Sequence, residues 1–252
     1  FREPKSMFEE VYLADLHIHS VLSPCAMRDM LPHCIILEAH EKKIDIIAIT
    51  DHNACDNVHT AVKLGEQFGV WVIPGIEVET REEIHFLCYF SSVEALEDFH
   101  RHICYLLPFI PLDQAVWGEE WVINLEGGIQ EKKPYLLTYP LSLSIENLVN
   151  TVTEWEGIVI PSHVDRKAYS ILQVLGFIPP DLSFPVLEIS RSCTVEQART
   201  QFFLSDYRFL RSSDAHSLSE IGAAITVFSM TSRSWSEFLL ALHGAKGRSM
   251  HC

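Results

Sequence analysis

The chain has 252 residues, 48% apolar and 21% charged, enough apolar material for one large core and too much for a disordered chain. Asp plus Glu number 34 against 19 Lys plus Arg, a formal charge of -15, which disfavours a polyanion such as long duplex DNA unless basic residues cluster locally. No run approaches the roughly 18 apolar residues of a membrane span, the opening FREPKSMFEE lacks the apolar stretch of a signal peptide, and seven scattered cysteines without a CxxC pair argue against a disulfide framework, so a cytosolic protein without a membrane partner is expected.

In chain order, the β-rich run VYLADLH (11–17) precedes an amphipathic segment at 30–42, and IDIIAIT (44–50) precedes another at 56–68. VWVIPGIEV (70–78) and IHFLCYF (84–90) come next, then a helical pattern over 92–103. From about 105 to 143 the period breaks. LLPFIPLD and WVINLEGGIQEKKPYLLTYP predict a loop and a β-hairpin turning at Glu126-Gly127-Gly128. That stretch is expected to be an insertion within a single domain covering 1–252. A helix over 144–156, strands GIVIPSH (157–163) and PVLEIS (185–190), a helix over 194–205, strands RFLRSSD (208–214) and AAITVFS (223–229), and a helix over 235–243 complete the chain. Thr194 with Gln197 and Ser234 with Glu237 have capping-box spacing. Strands apolar on both faces and alternating with helices predict an α/β fold with a mostly parallel sheet or barrel.

The polar residues fall at strand ends. His17 and His19 close the first strand, Asp51 and His52 the second and Glu77 the third, and His163, Asp214 and His216 close later ones. In parallel barrels the C-terminal strand ends carry the active site, so residues distant in sequence converge there. Each piece has a plain structural alternative: an HxH pair is weak evidence in a chain with 13 histidines, His85 fits a satisfied core histidine, and Glu77 or Asp214 fits a helix cap. Taken together the set points to metal, because burying so many ionisable groups without a cation costs several kcal/mol per unpaired charge.

The ordered set DLHIHS (15–20), ITDHN (49–53), PGIEVE (74–79), the His85 strand, PSHVD (161–165) and SSDAHS (212–217) resembles the successive metal motifs of the polymerase and histidinol phosphatase (PHP) family. The resemblance implies a distorted (β/α)7 barrel holding two to three divalent ions, with Zn, Mn and Fe all suited to mixed imidazole and carboxylate ligands. It implies that the first ion takes His17, His19, Glu77 and Asp214, and that the second shares Glu77 and adds His85 and His163. The third would take His52, His216 and Cys25, which stands in the loop SVLSPCAM (20–27) where commoner family members carry Asp or His. Asp51 is expected to orient a ligand imidazole by accepting its other N–H.

Glu77, Asp214 and His163 are accordingly the expected catalytic residues, in hydrolysis of a phosphate ester by water held between the ions. Arg166 and Arg191 directly follow strand ends and have the fork suited to bidentate phosphate contact, with a surface salt bridge as the alternative. The expected substrate is a small phosphorylated molecule such as a nucleotide or a sugar phosphate, walled by aromatic residues of the insertion, with nucleic acid unlikely. A 3′ to 5′ exonuclease acting on single strands and a non-catalytic, metal-stabilised binding module are the alternatives.

Overall fold

A computed structural model describes residues 10–252; FREPKSMFE, which carries most of the opening read for a signal peptide, lies outside the described residues. β1 (Glu10–Ile18), α1 (Pro32–Glu41), β2 (Ile46–Ile49) and α2 (Val58–Phe68) follow the expected alternation. The run at 70–78 divides at Pro74, which has no N–H for a ladder, into β3 (Trp71–Val72) and β4 (Gly75–Glu79). β5 (His85–Tyr89) and α3 (Val93–Ile103) lead into the insertion, which holds α4 (Gln114–Trp117), β6 (Trp121–Ile123) and β7 (Ile129–Lys132). The remainder runs α5 (Ile145–Glu154), β8 (Ile158–Pro161), α6 (Ile171–Leu175), β9 (Leu187–Ile189), α7 (Val195–Gln201), β10 (Phe209–Arg211), β11 (Thr226–Met230), α8 (Trp235–His243) and β12 (Ser249–His251).

Caps explain where several helices begin. The side chains of Ser92 and Ser144 accept N–H groups of the first turns of α3 and α5, and Thr194 with Gln197 forms the full capping box on α7. The second expected box is absent. Ser234 makes no cap to α8; Glu237 instead accepts the Arg248 guanidinium and the Thr231 N–H, because a charged fork outcompetes a backbone amide for a carboxylate.

The strands do not close into the expected distorted (β/α)7 barrel with its mostly parallel pairing. Pairing among the described residues gives a five-stranded sheet in the order β12-β11-β1-β2-β3, a three-stranded sheet β4-β5-β8, and the pairs β9-β10 and β6-β7. Only five residues join β4 to β5, too few for a crossover, so the two pair antiparallel. β11 likewise runs antiparallel to β1, while β1, β2 and β3 are parallel. The fold is mixed α/β. Inward side chains of separate sheets still share one core, where Ala14, Leu16, Ala48, Leu87, Tyr89, Ile160, Leu210 and Phe228 meet Phe238 of α8. A second cluster packs the outer strand faces against α1, α2, α3, α5 and α7. Among the described residues no helix is long and apolar enough to cross a membrane.

The hairpin of the insertion forms as expected. Asn124 Oδ1 accepts the Glu126 and Gly128 N–H groups, and Gly127 takes a φ of +83° that a side chain would resist. Two buried asparagines fasten the insertion to the fold. Asn57 donates to Trp121 O and accepts from Ile123 N, while Asn53 donates to Leu137 O and Tyr139 O and accepts from Glu79 N. Asn53→Ala is therefore expected to cost about 3 kcal/mol, about one per lost bond, and to lower Tm by about 10 °C. A melting point within about 2 °C of wild type would remove Asn53 as an anchor.

Candidate metal centre

Local backbone features aim the site residues. The register between β1 and β2 shifts between Asp15 and Ile18, and such irregularities re-aim side chains next to functional sites. Isolated bridges between Ile18 and Ala215 and between His52 and Glu77 draw the ends of different sheets together. Asn53, Glu83, His163, Tyr169 and Asp214 all take positive φ without being glycine, a cost that persists where the surroundings hold it and that gathers at functional sites.

Glu77 is the hub. Its Oε1 lies 3.3 Å from His17 Nε2, 3.2 Å from His85 Nδ1 and 3.4 Å from His163 Nε2, and its Oε2 lies 3.1 Å from His52 Nδ1 and 3.5 Å from His19 Nε2. Asp214 Oδ1 stands 3.2 Å from both His17 Nε2 and His19 Nε2. The ligand atoms of His17, His19 and Glu77 all lie within 4.8 Å of one another, as do those of His52, Glu77 and His85 and those of His19, Cys25, His52 and His216. All nine expected ligands are thus in direct contact with Glu77 or Asp214 or within these groups, Cys25 among them from an exposed loop position.

The partners of the imidazoles decide which nitrogen faces inward. A carboxylate only accepts, so His17 Nδ1 donates to Glu188 (3.1 Å) and turns the Nε2 lone pair to the centre. Ser23 gives its hydroxyl proton to Asp51 Oδ1 (2.7 Å) and therefore accepts from His19 Nδ1 (3.0 Å). His216 Nδ1 donates to Asp214 O (2.8 Å). Two Nε2 lone pairs, on His17 and His19, consequently face each other at 3.2 Å. Glu77 Oε1, His52 Nδ1 and His163 Nδ1 are buried without a hydrogen-bond partner. Buried polar groups are nearly always paired, and lone pairs crowded together favour a cation between them. The donor set of imidazoles and carboxylates accordingly fits divalent ions.

The same crowding shifts the ionisation of the site's residues. Burial opposes a charge on His17, yet Asp214, Glu188 and Glu77 outweigh it and hold its pKa well above the usual imidazole value. Burial alone would raise the Glu77 carboxyl, but His85 and His17 keep it well below the usual range. For the Cys25 thiol, burial raises the pKa while His52 and His216 pull it down to about 6. His19 moves the other way, lowered by burial and by the neighbouring His216 and His52.

Three placements differ from the sequence expectations. Asp51 makes its hydrogen bonds to Ser20 N, Ser20 Oγ and Ser23 Oγ, so it acts on His19 only through Ser23. Glu77 sits in the middle of β4 rather than at its end, because the strand continues into the antiparallel pair with β5. Arg166 ion-pairs with Asp214 Oδ2 at 2.5 Å and Arg191 with Glu220 at 2.8 Å, the salt bridges that were the alternative to phosphate contact. Sequence reasoning passed over Glu188, which holds His17 and also accepts the His163 N–H; its signal was a lone carboxylate inside the apolar run PVLEIS. It also passed over Ser23, and over Glu120, a fully buried insertion carboxyl that burial pushes up to about 8.

The family model described as PHP domain matches residues 15–161, more than half of the sequence. The chain belongs to the PHP-domain family. A second model, described as PHP-associated, matches residues 205–246. Among curated relatives, the uncharacterized protein YqxK of Bacillus subtilis (strain 168) is 30% identical over 110 residues, covering 41% of this chain and 28% of YqxK. Among solved structures, the lesion-specific endonuclease PfuEndoQ of Pyrococcus furiosus superposes with a TM-score of 0.70 at 21% identity over 96% of this chain and 58% of that one. A complex of Endonuclease Q with a 27-mer duplex substrate, an abasic lesion at its active site, gives 0.71 at 20% identity over 95% of this chain and 58% of that one. This PHP-domain chain therefore spans less than two thirds of each of these relatives.

The duplex complex overturns the expectation of a small phosphorylated substrate with nucleic acid unlikely, since a protein of this fold holds a DNA duplex at its active site. Net charge misled because it is a sum. Glu77, Glu188 and Asp51 are buried at the centre, where bound cations would reverse the local field. Along the chain the charge is also uneven: residues 162–211 carry six basic against five acidic side chains, in a chain whose total is -15.

Proposed function

We propose that this PHP-domain chain is a metal-dependent hydrolase of phosphodiester bonds in nucleic acid. The observation that carries the proposal is the buried set of five imidazole nitrogens within 3.5 Å of the two Glu77 oxygens, with Glu77 Oε1 and His52 Nδ1 left without a hydrogen-bond partner. In this reading His17, His19, Glu77 and Asp214 hold one divalent ion, Glu77 with His85 and His163 a second, and His52, His216 and Cys25 a third. A thiolate in the last set would favour Zn or Fe over Mn. Such ions supply Lewis-acid polarisation of a phosphoryl oxygen and water acidic enough to lose its proton near neutral pH. The fold likeness to a lesion-specific endonuclease supports nucleic acid as the substrate class.

The chain's own residues orient the centre. Glu188 and the Asp51–Ser23 relay fix the inward nitrogens of His17 and His19. Arg166, about two-fifths exposed beside Asp214, is placed to take a non-bridging phosphate oxygen, whereas Glu220 engages Arg191. Arg166→Ala should raise KM for an oligonucleotide about tenfold or more, Arg166→Lys less because the charge stays while the fork is lost, and Arg191→Ala least. Equal KM in wild type and all three variants would remove both arginines from the substrate. The test of the function itself is cleavage of an end-labelled duplex containing an abasic lesion, and of a single strand, with Mn or Zn present and with chelator. No cleavage of either strand form at any metal loading would contradict it.

A further inference from the structure

Beside the metal centre lies a cleft of about 370 Å3 that the account so far leaves unused, walled by Pro24, Trp117, Thr138, Tyr139 and Tyr169, with Glu79 and Glu83 among its lining. His52 and His85 belong both to this cleft and to the centre, so the two spaces adjoin. We propose that the cleft receives one unstacked nucleobase of the strand whose phosphodiester lies over the centre, an inference that rests on the proposed function.

Five observations carry it. Large aromatic side chains are 47% exposed at Trp117, 43% at Tyr139 and 48% at Tyr169, and all three face one cavity. One side of the Tyr169 ring is already stacked on His85, with centroids 4.7 Å apart and planes at 19°, which holds the ring as a platform. Such surfaces take a base by stacking. The cleft offers no lysine or arginine but presents two carboxylates, at Glu79 and Glu83. Carboxylates repel a phosphate and accept N–H groups, so the phosphate belongs on the metal side and a neutral ring with N–H donors in the cleft. Thr138 Oγ1, also lining the cleft, is buried without a partner in the protein and is available to a heteroatom of the same ring. The walls are also held in place: Asn53 fixes the backbone at Leu137 and Tyr139, and His85 N–H donates to Tyr169 O. Extruding a base costs least where it is mismatched, damaged or single-stranded, so unpaired positions would be preferred.

Two measurements test this on the full chain. In the first, a single-stranded oligonucleotide containing 2-aminopurine is titrated with protein kept metal-free by chelator. Stacking should quench its fluorescence, and Trp117→Ala and Tyr139→Ala should each weaken the quenching titration about tenfold. In the second, kcat/KM is compared on a base-containing oligonucleotide and on one with abasic sugars throughout. The loss caused by Trp117→Ala should be at least about tenfold larger on the first than on the second. Trp117 is half exposed on a short surface helix, and unchanged far-UV circular dichroism and Tm would show that the variant folds. Quenching equal in wild type and variants, or equal losses on both oligonucleotides, would overturn the base pocket. Wild-type-specific quenching without cleavage of any oligonucleotide would leave the pocket standing and instead refute the hydrolytic function.

Discussion

Glu77→Gln is expected to abolish phosphodiester hydrolysis, a loss of at least about a hundredfold, with the fold retained. Glu77 puts one oxygen within 3.4 Å of three imidazole nitrogens and the other within 3.5 Å of two more. An amide keeps the shape but carries no charge, and one of its two ends becomes a donor that repels a cation. Two of the proposed sites share this side chain, so metal content should fall by more than one ion per chain. Circular dichroism and elemental analysis, run beside the cleavage assay, separate this result from unfolding. Activity within tenfold of wild type would mean that Glu77 is not the shared ligand.

Glu188→Ala is expected to cost about 10- to 100-fold in metal affinity or activity, although Glu188 is not a proposed ligand. The substitution leaves His17 Nδ1 and the His163 N–H without the carboxylate they now share. His17 is then free to adopt the tautomer that points a proton into the centre. Glu188→Gln retains an acceptor and should recover part of the loss. Metal titration of both variants checks this ordering. Equal affinities for wild type and Glu188→Ala would make Glu188 a packing residue.

What the sequence disclosed follows from which forces are local. Strand and helix positions were legible because apolar periodicity is local: IDIIAIT became β2, and the segment at 92–103 became α3 with Ser92 as its cap. The hairpin at Glu126-Gly127-Gly128 was legible because only glycine adopts such a φ cheaply. Sheet topology was not. Whether β5 continues a parallel series or folds back on β4 depends on the five residues between them and on pairing across the chain, which no window of sequence contains. The histidines of the centre were legible as a set because motif order survives at low identity. Glu188 was not, because a glutamate in a strand announces its partner only once His17, 171 residues away, is beside it. Asp51 was expected to accept an imidazole N–H directly, yet its oxygens belong to Ser20 and Ser23, partners that its motif does not reveal. The charge argument failed for the same reason, since the -15 total says nothing of where the charges lie.

The central claim is that the buried cluster around Glu77 holds divalent ions and uses them to cut nucleic acid. Its most direct test is elemental analysis of protein purified without chelator, paired with cleavage of an abasic-lesion duplex before chelation, after it and after metal is restored. The account predicts more than one transition-metal ion per chain, cleavage that disappears on chelation, and cleavage that returns with Zn, Mn or Fe. Less than one ion per chain with none taken up on addition, or cleavage undiminished by chelator, would contradict it.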